Sequence, residues 1–271
     1  MATKRIMVLV DLSETSARLL TFAKALADKA SIELLVVHQA FSLAPAMGDA
    51  EIKSGIDLQS RRDALKKLSA YVSDAGVNGP QVRFHVTTSN LDGAVLSLQA
   101  MSQDDVIIVG IRSRSWLERM FTQGTVVKLV NAIHSVIVAL PDLPARPDLS
   151  VFHVAITPKY PINHTQVRNL VLLNAATTKQ LRFLSVPSPD DDLAQLKEFL
   201  QSQCDMLGDL VNVNYEILPP GNVLSAIRSY MQNSKGVLVV QRGPRNFLDI
   251  FRKYFATDLI HDAQIPTIIL P

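Results

Sequence analysis

Apolar and polar residues follow one rhythm along the chain: short runs rich in Val, Ile and Leu alternate with segments long enough for helices. Ile6–Val10, Glu33–His38, Gln81–Thr87, Asp105–Gly110 and Ser135–Leu140 are predicted as strands. Helices are predicted over Thr15–Ala30, Leu58–Ala75, Asp92–Ser102 and Gly124–Ile133. Runs this short and this apolar suit strands covered on both faces, as in a parallel sheet. In the first helix Leu19, Phe22, Ala23 and Leu26 recur at three-to-four spacing and mark the face that packs on the sheet. Ser13 stands where that helix needs an N-cap.

The rhythm stops at Pro141-Asp-Leu-Pro144-Ala-Arg-Pro147, which continues neither element type and reads as a linker. It then resumes. Val151–Ile156, Gln180–Val186, Val211–Leu218, Gly236–Val240 and Pro266–Leu270 are predicted strands, with helices over His164–Ala176, Asp192–Leu207, Asn222–Asn233 and Tyr254–Asp262. Ala139-Leu140-Pro141 and Ile269-Leu270-Pro271 close the two halves alike. Val106–Gly110 and Val237–Gln241 stand in nearly the same relation to those endings. The chain therefore reads as an internal duplication, with domains at 1–143 and 149–271. Each is an α/β domain, doubly wound around a five-stranded parallel sheet flanked by helices. The first half is longer mainly because of Phe41–Ser60, a stretch after its second strand that contains Pro45, Gly48 and Gly55.

Composition narrows the function classes. Hydrophobic residues are 48% and charged residues 19%, which excludes a disordered chain. The balance of 27 basic and 25 acidic residues leaves +2, no bulk drive toward nucleic acid or an anionic membrane. Cys204 stands alone, so no internal disulfide or multi-cysteine metal site is available. The apolar run before Asp11 is too short for a signal-peptide core or a membrane span, and a cytoplasmic location is expected.

Catalytic motifs are missing. The six histidines form no HExxH, and neither a Gly-x-Ser-x-Gly elbow nor a Walker lysine loop occurs. His38 and His153 fall in predicted strands and read as satisfied sheet residues. Asp190-Asp191-Asp192 opens a helix, where acids complement the macrodipole, and Asp104-Asp105 sits in a turn. Cys204 has no base partner to make it a nucleophile. No catalytic residue and no metal site is assigned, and the chain is read as a non-enzyme.

Val8-Leu-Val-Asp11-Leu-Ser13-Glu14 resembles the first-strand signature of universal stress proteins, and Leu34-Leu-Val-Val-His38 is similar to their second strand. Val106–Gly110 followed by Arg112, Ser113, Arg114 and Gly124-Thr125 resembles their fourth strand and loop, and Val136–Pro141 their closing strand. The likeness runs through both halves, so the chain resembles a tandem member of that family. One branch of the family binds ATP through an Asp after strand one and a glycine loop after strand four. The resemblance thus implies a nucleotide site of Asp11, Gln39, Gly110, Arg112, Ser113, Gly124, Thr125 and Val126. Glycines let backbone approach phosphates, and Gly-Thr opening a helix offers free N–H groups to an anion.

The first half departs from that pattern at Ser113, which replaces the second loop glycine, and in ten residues, Arg114 to Gln123, where nine are usual. Trp116 also stands where the family has a small residue. The second half has lost the motif. Ile156-Thr157-Pro158 carries no acid, Gln241 replaces the first glycine near Gly243-Pro244, and Arg252-Lys253-Tyr254-Phe255 stands where Gly-Ser would be. Arg112, Arg114 and Arg119 in one loop, and Arg242, Arg245, Arg252 and Lys253 in the other, could form anion sites. They are read first as solvated surface.

A regulatory, stress-type protein is the leading expectation, with ATP or another adenine nucleotide in the first half only. The alternatives are action through protein partners without a nucleotide, or nucleotide hydrolysis on a related fold. Pyrophosphatases and adenylyltransferases need Ser-Gly-Gly-x-Asp-Ser or His-Ile-Gly-His loops, and Asp11-Leu-Ser-Glu is neither. A receiver-type switch needs an acceptor Asp where Thr87-Thr88-Ser89 stands. The uncharged closing strands, Val136–Leu140 and Thr267–Leu270, would be hazardous as open edges. They are expected to cover each other in an internal pseudo-dimer, giving a monomeric chain, with a homodimer as the alternative.

Overall fold

The computed structural model describes residues 5–41, 49–99, 105–111, 133, 135–141, 147–159, 161–241 and 265–271. The chain divides into two compact units, Met1–Ile137 and Val138–Pro271.

The first unit runs β1 (Arg5–Val10), α1 (Glu14–Ala30), β2 (Glu33–Gln39), α2 (Ala50–Asp74), β3 (Val82–Thr87), α3 (Leu91–Gln99), β4 (Val106–Ile111) and β5 (Val136–Pro141), in whose course the second unit begins. Its strand order is β3-β2-β1-β4-β5. The β1–β2, β2–β3 and β1–β4 pairs are parallel. Ile6, Met7, Val8, Leu9 and Val10 are all buried, as a central strand covered on both faces requires. Leu19, Phe22, Ala23 and Leu26 form the buried face of α1, as their spacing predicts. Ser13 is its N-cap, and Ser31, left-handed at φ 54°, closes its far end by donating to the Ala27 and Asp28 carbonyls.

The second unit runs β6 (Val151–Ala155), α4 (His164–Leu173), β7 (Gln180–Ser185), α5 (Leu193–Asp205), β8 (Asn212–Ile217), α6 (Val223–Gln232), β9 (Val237–Gln241) and β10 (Thr267–Leu270). Its order from the other edge is β8-β7-β6-β9-β10, the order of the first unit, and β6–β7, β7–β8, β6–β9 and β9–β10 are parallel. Phe152 and Phe183 are fully buried at its centre. Each such side chain contributes roughly 1.5–3 kcal/mol by leaving water. Among the described residues no helix is long and apolar enough to cross a membrane.

Three expectations need correction. The helix predicted from Leu58 starts at Ala50, since a single Gly55 costs a long helix only about 1 kcal/mol. Pro141 ends β5 rather than starting the linker; proline is tolerated at a strand terminus, where its missing N–H matters least. Asp105 is no turn residue in water: its side chain is fully buried against Arg5. The predicted helices over 124–133 and 254–262 lie outside the described residues, apart from Ile133.

Candidate functional site

In the first unit the chain steps from β1 to β2 on one side and returns from β3 to β4 on the other, so its topological switch point lies between β1 and β4. Open parallel sheets take ligands beyond the carboxyl ends of their strands at such a point. Asp11 directly follows β1 there and Gly110 lies near the end of β4.

Asp11 is held by the start of α1. Its Oδ1 accepts from the Ser13 backbone N–H at 3.1 Å, from Ser13 Oγ at 2.5 Å and from Ser16 Oγ at 2.5 Å. Ser16 Oγ in turn accepts from the Asp11 N–H at 3.1 Å. The turn that allows this passes through Leu12 at φ 63°, a left-handed conformation that costs a non-glycine residue about 1–2 kcal/mol. The Tyr71 hydroxyl of α2 donates to the Ser13 carbonyl and braces the same turn. Oδ2 has no partner among the described residues.

His38 lies opposite Val10 in the β1–β2 register and its Nδ1 is 2.9 Å from the Val10 carbonyl. A carbonyl only accepts, so Nδ1 carries the hydrogen and Nε2 is the acceptor. Burial pushes the His38 pKa below its ordinary value, against the opposing pull of the Val10 carbonyl and Asp11. Gln39 Nε2 donates to the Ser89 carbonyl at 3.1 Å, joining the ends of β2 and β3. A Cβ at Gly110 would meet only Leu19 Cδ2 at 3.7 Å, an ordinary contact, so the described packing does not itself demand glycine there.

Sequence reasoning singled out Asp11, Gln39 and Gly110, and these stand at the carboxyl edge of one sheet. Arg112, Ser113, Gly124, Thr125 and Val126 lie outside the described residues, as do Arg114, Arg119, Arg242, Arg245, Arg252 and Lys253. Reasoning from motifs missed Ser16 and Tyr71. Ser16 was legible as a hydroxyl one helical turn past the cap; Tyr71, 58 residues from Ser13 in sequence, carried no local signal.

The sequence model of the universal stress protein family matches residues 2–139, just over half of the chain. The chain belongs to the universal stress protein family. No curated protein matches it. Among solved structures it is similar to a universal stress protein from Archaeoglobus fulgidus DSM 4304, at 13% identity and a TM-score of 0.65, over 98% of this chain and 97% of that one. A functionally unknown protein from Pseudomonas aeruginosa PAO1 matches at 13% identity and a TM-score of 0.61, over 99% and 92%. The cytoplasmic domain of a prokaryotic cation chloride cotransporter matches at 14% identity and a TM-score of 0.58, over 98% and 95%. Identities this low carry the universal stress protein fold and nothing further.

The second unit repeats the frame with other chemistry. Ile6 and Phe152 hold the same place, opposite Leu34 and Val106 in one unit and Leu181 and Val237 in the other. Counting forward from these pairs puts Thr157 where the first unit has Asp11, Ser185 where it has His38 and Gln241 where it has Gly110. Among the described residues no group of three His, Cys, Asp or Glu side chains is placed to hold a metal. Cys204 is buried, and burial with Asp205 nearby pushes its thiol up to about 11, far from thiolate chemistry. Asp192 caps α5 directly, accepting from the Ala194 and Gln195 N–H groups, and Asp191 accepts from Ser188 N–H. That local role explains the acidic cluster more closely than the macrodipole does.

Proposed function

We propose that the chain is a non-enzymatic regulatory protein that binds an adenine nucleotide, ATP, in its first unit alone, and that its second unit is a diverged copy of the same domain. One observation carries the nucleotide reading: Asp11 stands at the switch point with Oδ1 saturated by Ser13 and Ser16, leaving Oδ2 to accept from a ligand. A carboxylate fixed in advance loses little freedom on binding a ribose hydroxyl or base N–H. Gln39 and Gly110 would border the nucleotide. Arg112, Ser113, Gly124, Thr125 and Val126 would contact its phosphates, as the family pattern implies.

Calorimetry with ATP tests the reading. Asp11→Ala should weaken binding by about 1–3 kcal/mol, the loss of one or two charge-assisted hydrogen bonds. Absence of ATP binding to the unmodified chain at millimolar nucleotide would end it. Steady release of phosphate from ATP would replace the regulatory reading with a hydrolytic one.

Action through protein partners is a second reading, favoured by apolar side chains left in solvent around α2 and β3. Phe41 is 71% exposed, Ile52 56%, Leu58 51% and Phe84 38%. Capture of a partner by the intact chain but not by an Ile52→Ser, Leu58→Ser variant would support it; equal capture by both would refute it.

A further inference from the structure

The first unit's sheet ends on β3, which pairs with β2 and has no strand on its other side among the described residues. The Gln81 and Thr87 carbonyls accept from the Leu34 and Ala40 N–H groups at 3.0 and 2.8 Å. Backbone groups alternate in direction along a strand, so odd-numbered residues of β3 serve β2 and even-numbered ones face outward. Val82 is accounted for: its N–H donates to the Gly79 carbonyl at 3.2 Å, and its carbonyl accepts from Arg83 Nη1 at 3.5 Å. The N–H and C=O groups of Phe84 and Val86 are left open at the edge, a template for one more strand.

The two faces beside that edge differ. Arg5 reaches the Leu98 carbonyl of α3, and the register carries its face through Met7 and Leu35 to Arg83. Arg83 and His85 therefore take the α3 face and Phe84 the opposite one. That face is covered by α2, which is tied to the end of β3 where Arg61 Nε donates to Thr88 Oγ1 at 3.2 Å and Thr88 Oγ1 to Asp57 Oδ2 at 3.3 Å. Tyr71 of α2 turns inward to the Ser13 carbonyl. At roughly 100° per residue, Leu65 and Leu58 lie about 120° and 140° round the helix from Tyr71, across the buried stripe of Leu68 and Val72. They sit on the flank toward the open edge and are exposed, as is Phe84. Arg62 and Lys66 follow on the same flank.

We infer that the open edge of β3 takes an extended segment of a protein partner, added as a further strand, in which apolar and acidic residues alternate. The inference rests on the partner reading above and gives that partner its chemistry; it does not depend on nucleotide binding. An added strand turns alternate side chains to opposite faces. Those on the α2 face meet Phe84, Leu65 and Leu58. Those on the α3 face lie beside Arg83, whose acidic neighbour Glu33, at 3.9 Å, leaves its side chain 61% exposed. A second copy of β3 is a poor occupant, because two-fold pairing brings both Arg83 side chains to one face. A lipid surface presents no ladder of amide groups to Phe84 and Val86.

NMR and amide exchange on the full chain test this with a capped heptapeptide of alternating Glu and Val. Saturable shifts are expected, with exchange at the Phe84 and Val86 amides slowed at least about fivefold. The Arg83 and His85 amides, already serving β2, should change little. Arg83→Glu should weaken binding at least about fivefold and reverse the preference toward a Lys–Val peptide. Leu65→Ser should also weaken it, and stands in should Arg83→Glu fail a thermal melt; Asp11→Ala should have no effect. Several outcomes overturn the inference: no saturable binding, no protection of Phe84 and Val86, or equal binding of the Glu–Val and Lys–Val peptides. Protection of the two amides by phosphatidylserine vesicles but not by peptide would assign the edge to lipid, and protection that grows with protein concentration alone would assign it to a second copy. Peptide failure with capture dependent on Ile52 and Leu58 intact would sink this inference and leave the partner reading standing.

Discussion

Arg5 and Asp105, 100 residues apart in sequence, meet in two parallel hydrogen bonds of 2.9 Å each, from Nε to Oδ1 and from Nη2 to Oδ2. Nη2 also donates to the Leu98 carbonyl at 2.6 Å, so the fork ties the start of β1 to the end of α3 and the entry to β4. The Asp105 side chain is fully buried and that of Arg5 is 15% exposed. Removing one partner strands the other without water. Asp105→Ala should therefore cost about 3–5 kcal/mol, read as a lowered urea midpoint; a loss below 1 kcal/mol would show the pair to be dispensable.

Nucleotide stoichiometry should be at most one per chain. Thr157 and Gln241 replace Asp11 and Gly110 at equivalent register positions, and neither offers a charge or an open backbone. Equilibrium dialysis with labelled ATP checks this. Two sites of similar affinity would contradict it, as would a nucleotide beside Thr157 in a crystal.

Stability should decline as pH falls below about 6.5. Burial lowers the pKa of His38, His85 and His153 from 6.5; Arg61 and Arg5 reinforce the shift at His85, and Arg182 does so at His153 against Glu216. In this window the unfolded chain takes up protons that the folded chain refuses, so unfolding is favoured as acid is added. Above 6.5 the three are neutral in both states and contribute no slope. Urea midpoints between pH 8 and 5 should be flat and then fall, and His153→Gln should remove up to about one proton from the slope. A midpoint that rises on acidification would refute the assignment.

Among the described glycines, Gly236 is the one that the packing cannot spare. Its φ is +124°, and a Cβ would lie 2.5 Å from the Val151 carbonyl oxygen and 3.0 Å from the His153 ring. Gly236→Ala should cost about 3 kcal/mol or more. Gly76→Ala, at φ +72° with nothing within 4 Å, should cost only about 1 kcal/mol. Thermal melts of the two variants should rank in that order, and equal losses would contradict the steric argument.

The alternation of apolar runs and helical stretches was legible because a parallel sheet buries both faces of each strand; the described strands and helices lie close to where that alternation puts them. Asp11 was legible for a different reason, a polar residue directly after an apolar strand and two residues before a capping serine. What escaped reading was held by distant partners. Nothing near Asp105 announces Arg5, and nothing near Ser13 announces Tyr71. The start of α2, eight residues before Leu58, escaped reading too, because a lone Gly55 is a weak signal inside a helix of 25 residues.

The burial of α2 is uneven, and this gives one helix two stabilities. Ala64, Leu68 and Val72, its buried residues, all lie in the second half, while positions 50–63 hold to the body through polar contacts such as Arg61 Nε to Thr88 Oγ1 at 3.2 Å. Amide protons near Leu68 and Val72 should exchange with solvent only when the unit opens as a whole. Those between Ile52 and Gln59 should exchange orders of magnitude faster, through fraying that leaves the sheet intact. The leading turns, anchored beside Thr88 at the carboxyl end of β3, could thus unwind and reform near the ligand edge without drawing on the stability of the core.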